Sequence, residues 1–186
     1  MHAHLIFALA LVLSVIPASA SEAVWAAARA GGTVMLLRHA NAPGFGDPAG
    51  FRLGACETQR NLGEAGRAQA AALGIRLRRE FVVVNAVRSS RWCRARDTAA
   101  LAFPDVTVET DPSLDSFFAD RKTESDQSAA LRDSIRDWLG RPGTLVLVTH
   151  QVNITALTGI VPADGEIAVL RPNADSGFDV VGRLRP

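Results

Sequence analysis

The chain has 186 residues, a formal charge of +1 and 48% apolar residues, enough to bury one sizeable core but short for two independent domains. Its 20 basic residues nearly cancel its 19 acidic ones, which argues against a protein that coats nucleic acid or is held to a membrane surface by charge. Histidine and cysteine are scarce: His2, His4, His39, His150, Cys56 and Cys93 are all there are.

Met1 to Ser21 carries no Asp, Glu, Lys or Arg, and its centre is the apolar run LIFALALVLSVI. It ends in Pro17-Ala18-Ser19-Ala20, a helix breaker followed by a small-x-small pattern, so residues 1–20 read as an export signal cleaved after Ala20. The run is short for the roughly 20 residues of a bilayer span. The expectation is a periplasmic or secreted protein with no stable membrane insertion after cleavage, a single domain over residues 21–186, and a mature chain whose histidines are His39 and His150. Export would place Cys56 and Cys93 in oxidising surroundings, where they are a candidate disulfide; the other reading is two separate buried thiols.

Ser21 can cap a helix through Ala30 that Gly31-Gly32 ends. Thr33–Arg38 (TVMLLR) has the unbroken apolar character of a strand buried on both faces. A polar, Gly/Pro-rich loop runs from about Asn41 to Asn61. A helix follows over 64–80, its apolar positions read as Ala68, Ala71, Ala72, Ile75 and Leu77. The run FVVVNAV leads into a second strand ending at Arg88-Ser89-Ser90, then a helix over 91–103 stopped by Pro104, and a short strand over 106–109. Residues 111–123 read as loop with Phe117 and Phe118 tucked inward. Glu124 to Leu139 is a helix with Ala130, Leu131, Ile135, Trp138 and Leu139 as its stripe. Thr144–Thr149 (TLVLVT) is a third buried strand, followed by a helix over 153–158 and a pair of strands over 166–171 and 178–184. Strands alternating with helices predict a three-layer α/β/α fold around a mainly parallel sheet.

In open α/β sheets the ligand crevice lies beyond the carboxyl ends of the strands. His39, Ser89-Ser90 and His150 each follow one of the three strong strands, so they should converge although they are distant in sequence. Arg38 offers a guanidinium fork suited to phosphate or carboxylate. Of Arg91, Arg94 and Arg96, which cannot all face one crevice from a single helix, Arg94 is the better candidate, because the helix N-terminus also favours an anion.

These residues also carry a resemblance. Leu37-Arg38-His39-Ala40, Leu62-Gly63-Glu64-Ala65-Gly66-Arg67, Ser89-Ser90-Arg91-Trp92-Cys93-Arg94-Ala95-Arg96-Asp97-Thr98-Ala99 and Val148-Thr149-His150 occur in the order of the motifs of the histidine phosphatase superfamily, the phosphoglycerate-mutase-like proteins, which the chain resembles from about residue 33 to 160. The resemblance implies a phosphoryl-accepting His39, a phosphate pocket completed by Arg38, Arg94 and His150, and no metal or cofactor. It implies a carboxylate acid between the second and third motifs, for which Asp115 is the choice over Asp111 and Asp120. Asn41, the segment Thr58-Gln59-Arg60-Asn61 (Thr58 and Gln59 foremost) and Gln151 are candidate substrate contacts. Ala40 and Gln151 stand where the family commonly has glycine.

The function expected is a phosphomonoesterase acting through a phosphohistidine on a small phosphorylated substrate outside the cytoplasm. The alternatives are a phosphoryl mutase, for which the chain leaves little room for a water-excluding lid, a protein phosphohistidine phosphatase, a non-catalytic binder of phosphorylated ligands, and a zinc protein using His39, His150, Cys56 and Cys93. Nucleic acid is not an expected partner, and neither the oligomeric state nor the substrate's identity is legible.

Overall fold

In a computed structural model, which describes residues 20–185, six strands form one sheet with helices on both faces. The predicted export signal lies outside the described residues, apart from Ala20, the first residue of α1 (Ala20–Ala30). The remaining elements are β1 (Thr33–Arg38), α2 (Glu64–Arg79), β2 (Val84–Ser89), α3 (Cys93–Ala102), β3 (Val108–Thr110), α4 (Glu124–Arg136), β4 (Thr144–Thr149), α5 (Gln151–Thr158), β5 (Ile167–Asn173) and β6 (Gly177–Leu184). Strand order is β3-β2-β4-β1-β5-β6. β1, β2, β3 and β4 pair in parallel, while β5 and β6 form an antiparallel hairpin at one side.

The apolar runs became central strands because both their faces are covered. Met35 and Leu37 of β1 join Val146 and Val148 of β4 in a core shared with Trp25, Leu73, Leu77 and Ala99. Val34 and Leu36 join Leu145 and Leu147 in the opposite core, against Leu131, Ile135 and Ile154. This two-residue alternation into two apolar layers is what a parallel sheet sandwiched by helices requires.

α2 presents a different face from the one its larger apolar residues suggest. Gly66, Ala70, Leu73, Gly74 and Leu77 are buried, whereas Ala68 and Ala72 are exposed and Ile75 is 44% exposed. Close approach decides it: a Cβ at Gly74 would lie 1.9 Å from the Ala102 carbonyl oxygen, and one at Gly66 equally near that of Asn41. The glycines let α2 lie against the end of α3 and the loop after β1, and burial there outweighs burying Ile75.

Three other expectations shift. β3 starts two residues later than the sequence suggested. In α4, Leu131 and Ile135 are buried and Trp138 lies just beyond the helix in the same core, but Ala130 and Leu139 face solvent. Phe117 is buried as expected, but Phe118 is half exposed.

Candidate active site

The parallel ladder delivers three chain segments to one point. Arg38 is in register with Thr149, and Ser89 with Val148. One residue further on, the His39 amide donates to the Thr149 carbonyl and the Ser90 amide to the Val148 carbonyl, both at 2.9 Å. His39, Ser90 and His150 are therefore placed by rigid backbone. The rings of His39 and His150 sit 5.3 Å apart, edge to face, and both residues are buried.

His39 has a defined tautomer. Its Nδ1 lies 2.8 Å from the Ala40 carbonyl oxygen, which can only accept, so Nδ1 carries the proton and Nε2 is a lone pair. Arg94 Nε donates to that Nε2 at 3.3 Å. Burial, opposed by the Ala40 carbonyl and reinforced by Arg94, Arg38 and Arg60, pushes the His39 pKa down to about 3. A neutral imidazole with its outer nitrogen unprotonated is the form that attacks an electrophile.

The sign of this shift gives a pH prediction. Below the ordinary value of 6.5, the unfolded chain binds a proton at His39 that the folded chain refuses. This contribution to stability is complete above about pH 6.5 and is lost progressively as the pH falls toward 3. Imidazole NMR should show His39 neutral at pH 5, with unfolding free energy lower there than at pH 7; a His39 titration near 6.5 would contradict it.

Arg94 is buried and aimed by Asp47, whose carboxylate accepts from its NH1 at 2.7 Å and NH2 at 3.3 Å, from Trp92 Nε1 at 2.9 Å and from the Arg60 amide. Burial opposes the charge on Asp47, but the bonds from Arg94 and Trp92 prevail and hold its pKa below the usual carboxylate range. Arg38 is held by Asp164 at 2.7 Å and by the Pro162 carbonyl at 2.8 Å, and Asn41 donates to the other Asp164 oxygen at 2.9 Å.

His150 is held from behind. Ser90 Oγ donates to Asp115 Oδ1 at 3.2 Å, since a carboxylate accepts only, and this uses the one serine proton. His150 Nε2, 2.8 Å from the same Oγ, is therefore its donor, and Nδ1 of the neutral ring is bare. Burial, then His39 and the arginines, holds the His150 pKa well below the ordinary histidine value. Arg38 Nε and His150 Nδ1 are buried without a hydrogen-bond partner. Leaving such atoms unpaired costs about 1–3 kcal/mol each.

The structure thus brings Arg38, His39, Arg94 and His150 together on a cavity of about 450 Å³, with Asn41 and Gln151 also on its wall. It does not bring in Asp115. That carboxylate is buried behind Ser90, accepting from the Arg91 amide at 2.8 Å, Arg91 Nε at 2.7 Å and Arg91 NH2 at 2.5 Å. The expectation that Asp115 protonates the leaving oxygen does not fit this placement. Its competitors are turn caps: Asp111 accepts from the Ser113 amide and Asp120 from the Lys122 amide.

Thr58 and Gln59 are also away from the cavity wall. Thr58 Oγ1 braces its own loop on Arg52 and Ala55, while Gln59 Oε1 accepts from the Cys93 amide at the start of α3. Cys56 and Cys93 are disulfide-bonded, which leaves neither thiolate to ligate zinc. Arg60 of the 58–61 segment does line the cavity, while Asp47, Asp164, Trp92 and the phenylalanines at the cavity mouth were not singled out from the sequence. They lie on loops, where neither hydrophobic period nor strand end points to a role.

This parallel-centred α/β sandwich, with His39, His150 and Arg38 at its strand ends and Arg94 at the start of α3, has the phosphoglycerate-mutase-like fold. A profile of the histidine phosphatase superfamily (branch 1) matches residues 34–147, and the chain belongs to that superfamily. No curated protein matches it. Among solved structures, it resembles the protein histidine phosphatase SixA complexed with tungstate, with TM-score 0.59 and 15% identity over 82% of this chain and 96% of that one. It resembles a mycobacterial glucosyl-3-phosphoglycerate phosphatase complexed with VO3, with TM-score 0.56 and 18% identity over 80% and 96%. A third is a mutant Entamoeba histolytica phosphoserine phosphatase with phosphoserine, with TM-score 0.56 and 13% identity over 81% and 95%.

Proposed function

We propose that the protein is a metal-independent phosphomonoesterase that acts outside the cytoplasm through a phosphohistidine on Nε2 of His39. The observation that carries this reading is the unprotonated Nε2 of His39, approached by Arg94, on a cavity that Arg38 and His150 also line. Nε2 attacks phosphorus, the bond to the leaving oxygen breaks, and that oxygen departs with the electron pair. Water then attacks the phosphohistidine, returning Nε2 and releasing inorganic phosphate. Two guanidiniums and an imidazole around the phosphoryl oxygens supply the positioning and charge this transfer needs. His150 shares a proton with a phosphoryl oxygen through Nδ1, its other nitrogen being fixed by Ser90.

The test is to quench the enzyme during turnover of a labelled monoester and look for acid-labile, alkali-stable phosphate on His39. A binder of phosphorylated ligands would take up ligand but carry no such label.

Asp115 acts as a positioning residue, holding Ser90 and hence the His150 tautomer. Asp115→Asn should cost about 1–3 kcal/mol of stability by setting an amide against Arg91. It should lower kcat/KM for alkyl and aryl esters by similar factors, because no proton donor to the leaving oxygen is lost. A loss confined to alkyl esters would restore the acid role to Asp115.

A further inference from the structure

Two independent features of the cavity bear on the leaving group. The first is its mouth, which is aromatic on two sides. Phe51 stacks on Trp92 with centroids 5.1 Å apart and planes 19° from parallel, and the Trp92 edge meets His150 at 5.5 Å. Phe45 and Phe118 meet edge to face at 5.2 Å from two different loops, and they are 87% and 50% exposed. All four line the same cavity as His39. Trp92 is oriented by its bond to Asp47, so the ring is positioned rather than loosely placed. A cluster of aromatic rings left facing water beside a polar site marks a surface shaped for an apolar partner.

The second feature is the state of the carboxylates. Among the described residues, those lining this cavity are Asp47 and Asp164. Asp47 is committed to Arg94, Trp92 and the Arg60 amide, and Asp164 to Arg38 and Asn41. Asp115 is committed to Arg91 and Ser90 outside it. The wall therefore offers no carboxyl with a free oxygen to protonate a departing alkoxide. A leaving oxygen whose conjugate acid has a pKa near 10, as a phenol does, departs without such help, whereas an alkoxide nearer the value of water, about 15.7, does not.

We infer that the aromatic mouth is a leaving-group subsite and that the substrate class is the phosphate monoester of a planar, apolar aromatic alcohol. This rests on the phosphohistidine reading above and specifies what that site accepts. As His39 Nε2 bonds to phosphorus, the ester P–O bond breaks, the electron pair leaves on the phenolic oxygen, and that oxygen takes its proton from water. An alkyl chain would satisfy the mouth but not the leaving-group requirement. A phosphorylated imidazole would satisfy the second but makes small use of four rings.

The experiment compares naphthyl phosphate, octyl phosphate, a phosphohistidine peptide and acetyl phosphate on the full protein, with label on His39 read in parallel. Naphthyl phosphate should exceed octyl phosphate in kcat/KM by at least about 10²-fold, the scale of one missing general acid. Phe45→Ala and Phe118→Ala should each lower the ratio of naphthyl to acetyl phosphate turnover by about tenfold, mainly through KM, and Phe45→Tyr should restore it. Phe45 is so exposed that its replacement does not threaten folding. If acetyl phosphate labels His39 but naphthyl and octyl phosphate are used equally, or the peptide is preferred, or the phenylalanine variants leave the ratio unchanged, the subsite is wrong and the phosphohistidine reading stands. If no donor labels His39 during turnover, that reading falls and this one with it.

Discussion

Replacing His39 by alanine is expected to lower kcat/KM by at least about 10⁴-fold on every substrate and to abolish acid-labile phosphate on the protein. The expectation follows from how much of the structure is arranged around one nitrogen. The ladder fixes the backbone of His39, the Ala40 carbonyl holds its proton on Nδ1, and Arg94 approaches Nε2. His150→Ala should cost less, about 10²–10³-fold, because it removes one contact to the phosphoryl oxygens and leaves the nucleophile in place. The two variants separate further by labelling: the His150 variant should still take up phosphate on His39, slowly, and the His39 variant should not. Phosphate ligands should retain measurable affinity for the His39 variant, since Arg38, Arg94 and His150 remain. Turnover persisting in that variant would remove His39 from the mechanism.

Much of this arrangement was legible in the sequence because strand ends are. TVMLLR and TLVLVT can be stable only as strands covered on both faces, and whatever follows them must emerge at the sheet edge. Arg94 was separable from Arg91 and Arg96 by its place near the helix start, and the structure buries it while Arg91 and Arg96 stay exposed.

Asp115 shows where that legibility stops. Its distance from the motifs was readable, but whether it faces the cavity or the back of Ser90 depends on how the turn at Pro112–Leu114 sits on β4 and α5, where Thr149 Oγ1 donates to the Leu114 carbonyl and Asn153 Nδ2 to the Asp115 carbonyl. Those are tertiary contacts with no local sequence signal. Asp47 was invisible for the same reason: an acid in a Gly/Pro-rich loop announces nothing until Arg94 and Trp92 are seen pointing at it. In α2 the buried face is set by where glycine permits contact, which an apolar period alone does not reveal.

Removing the Cys56–Cys93 bridge by a double serine substitution is expected to lower unfolding free energy by about 4 kcal/mol on the chain-entropy account of its 37-residue separation, less any strain the bridge carries. The functional consequence follows from where the two ends lie. Cys93 is the first residue of α3 and immediately precedes Arg94, while Cys56 opens a short 3₁₀ turn in the loop that carries Asp47 and Arg60. The bridge thus ties the guanidinium at the nucleophile to the loop whose carboxylate aims it. Gln59 bonded to the Cys93 amide and Asp47 bonded to Arg94 still link the two segments without it, so the loop should loosen rather than detach. KM should therefore rise more than kcat falls, and reduction of the wild-type protein should reproduce both changes. The proposed exported setting is one in which such a bond would persist. Protein recovered from outside the cytoplasm should begin at Ser21 and carry the bond. The chain made without residues 1–20 in a reducing cytoplasm should instead show two free thiols and the lower stability of the double variant, and equal stability of the oxidised and reduced forms would rule out this role for the bridge.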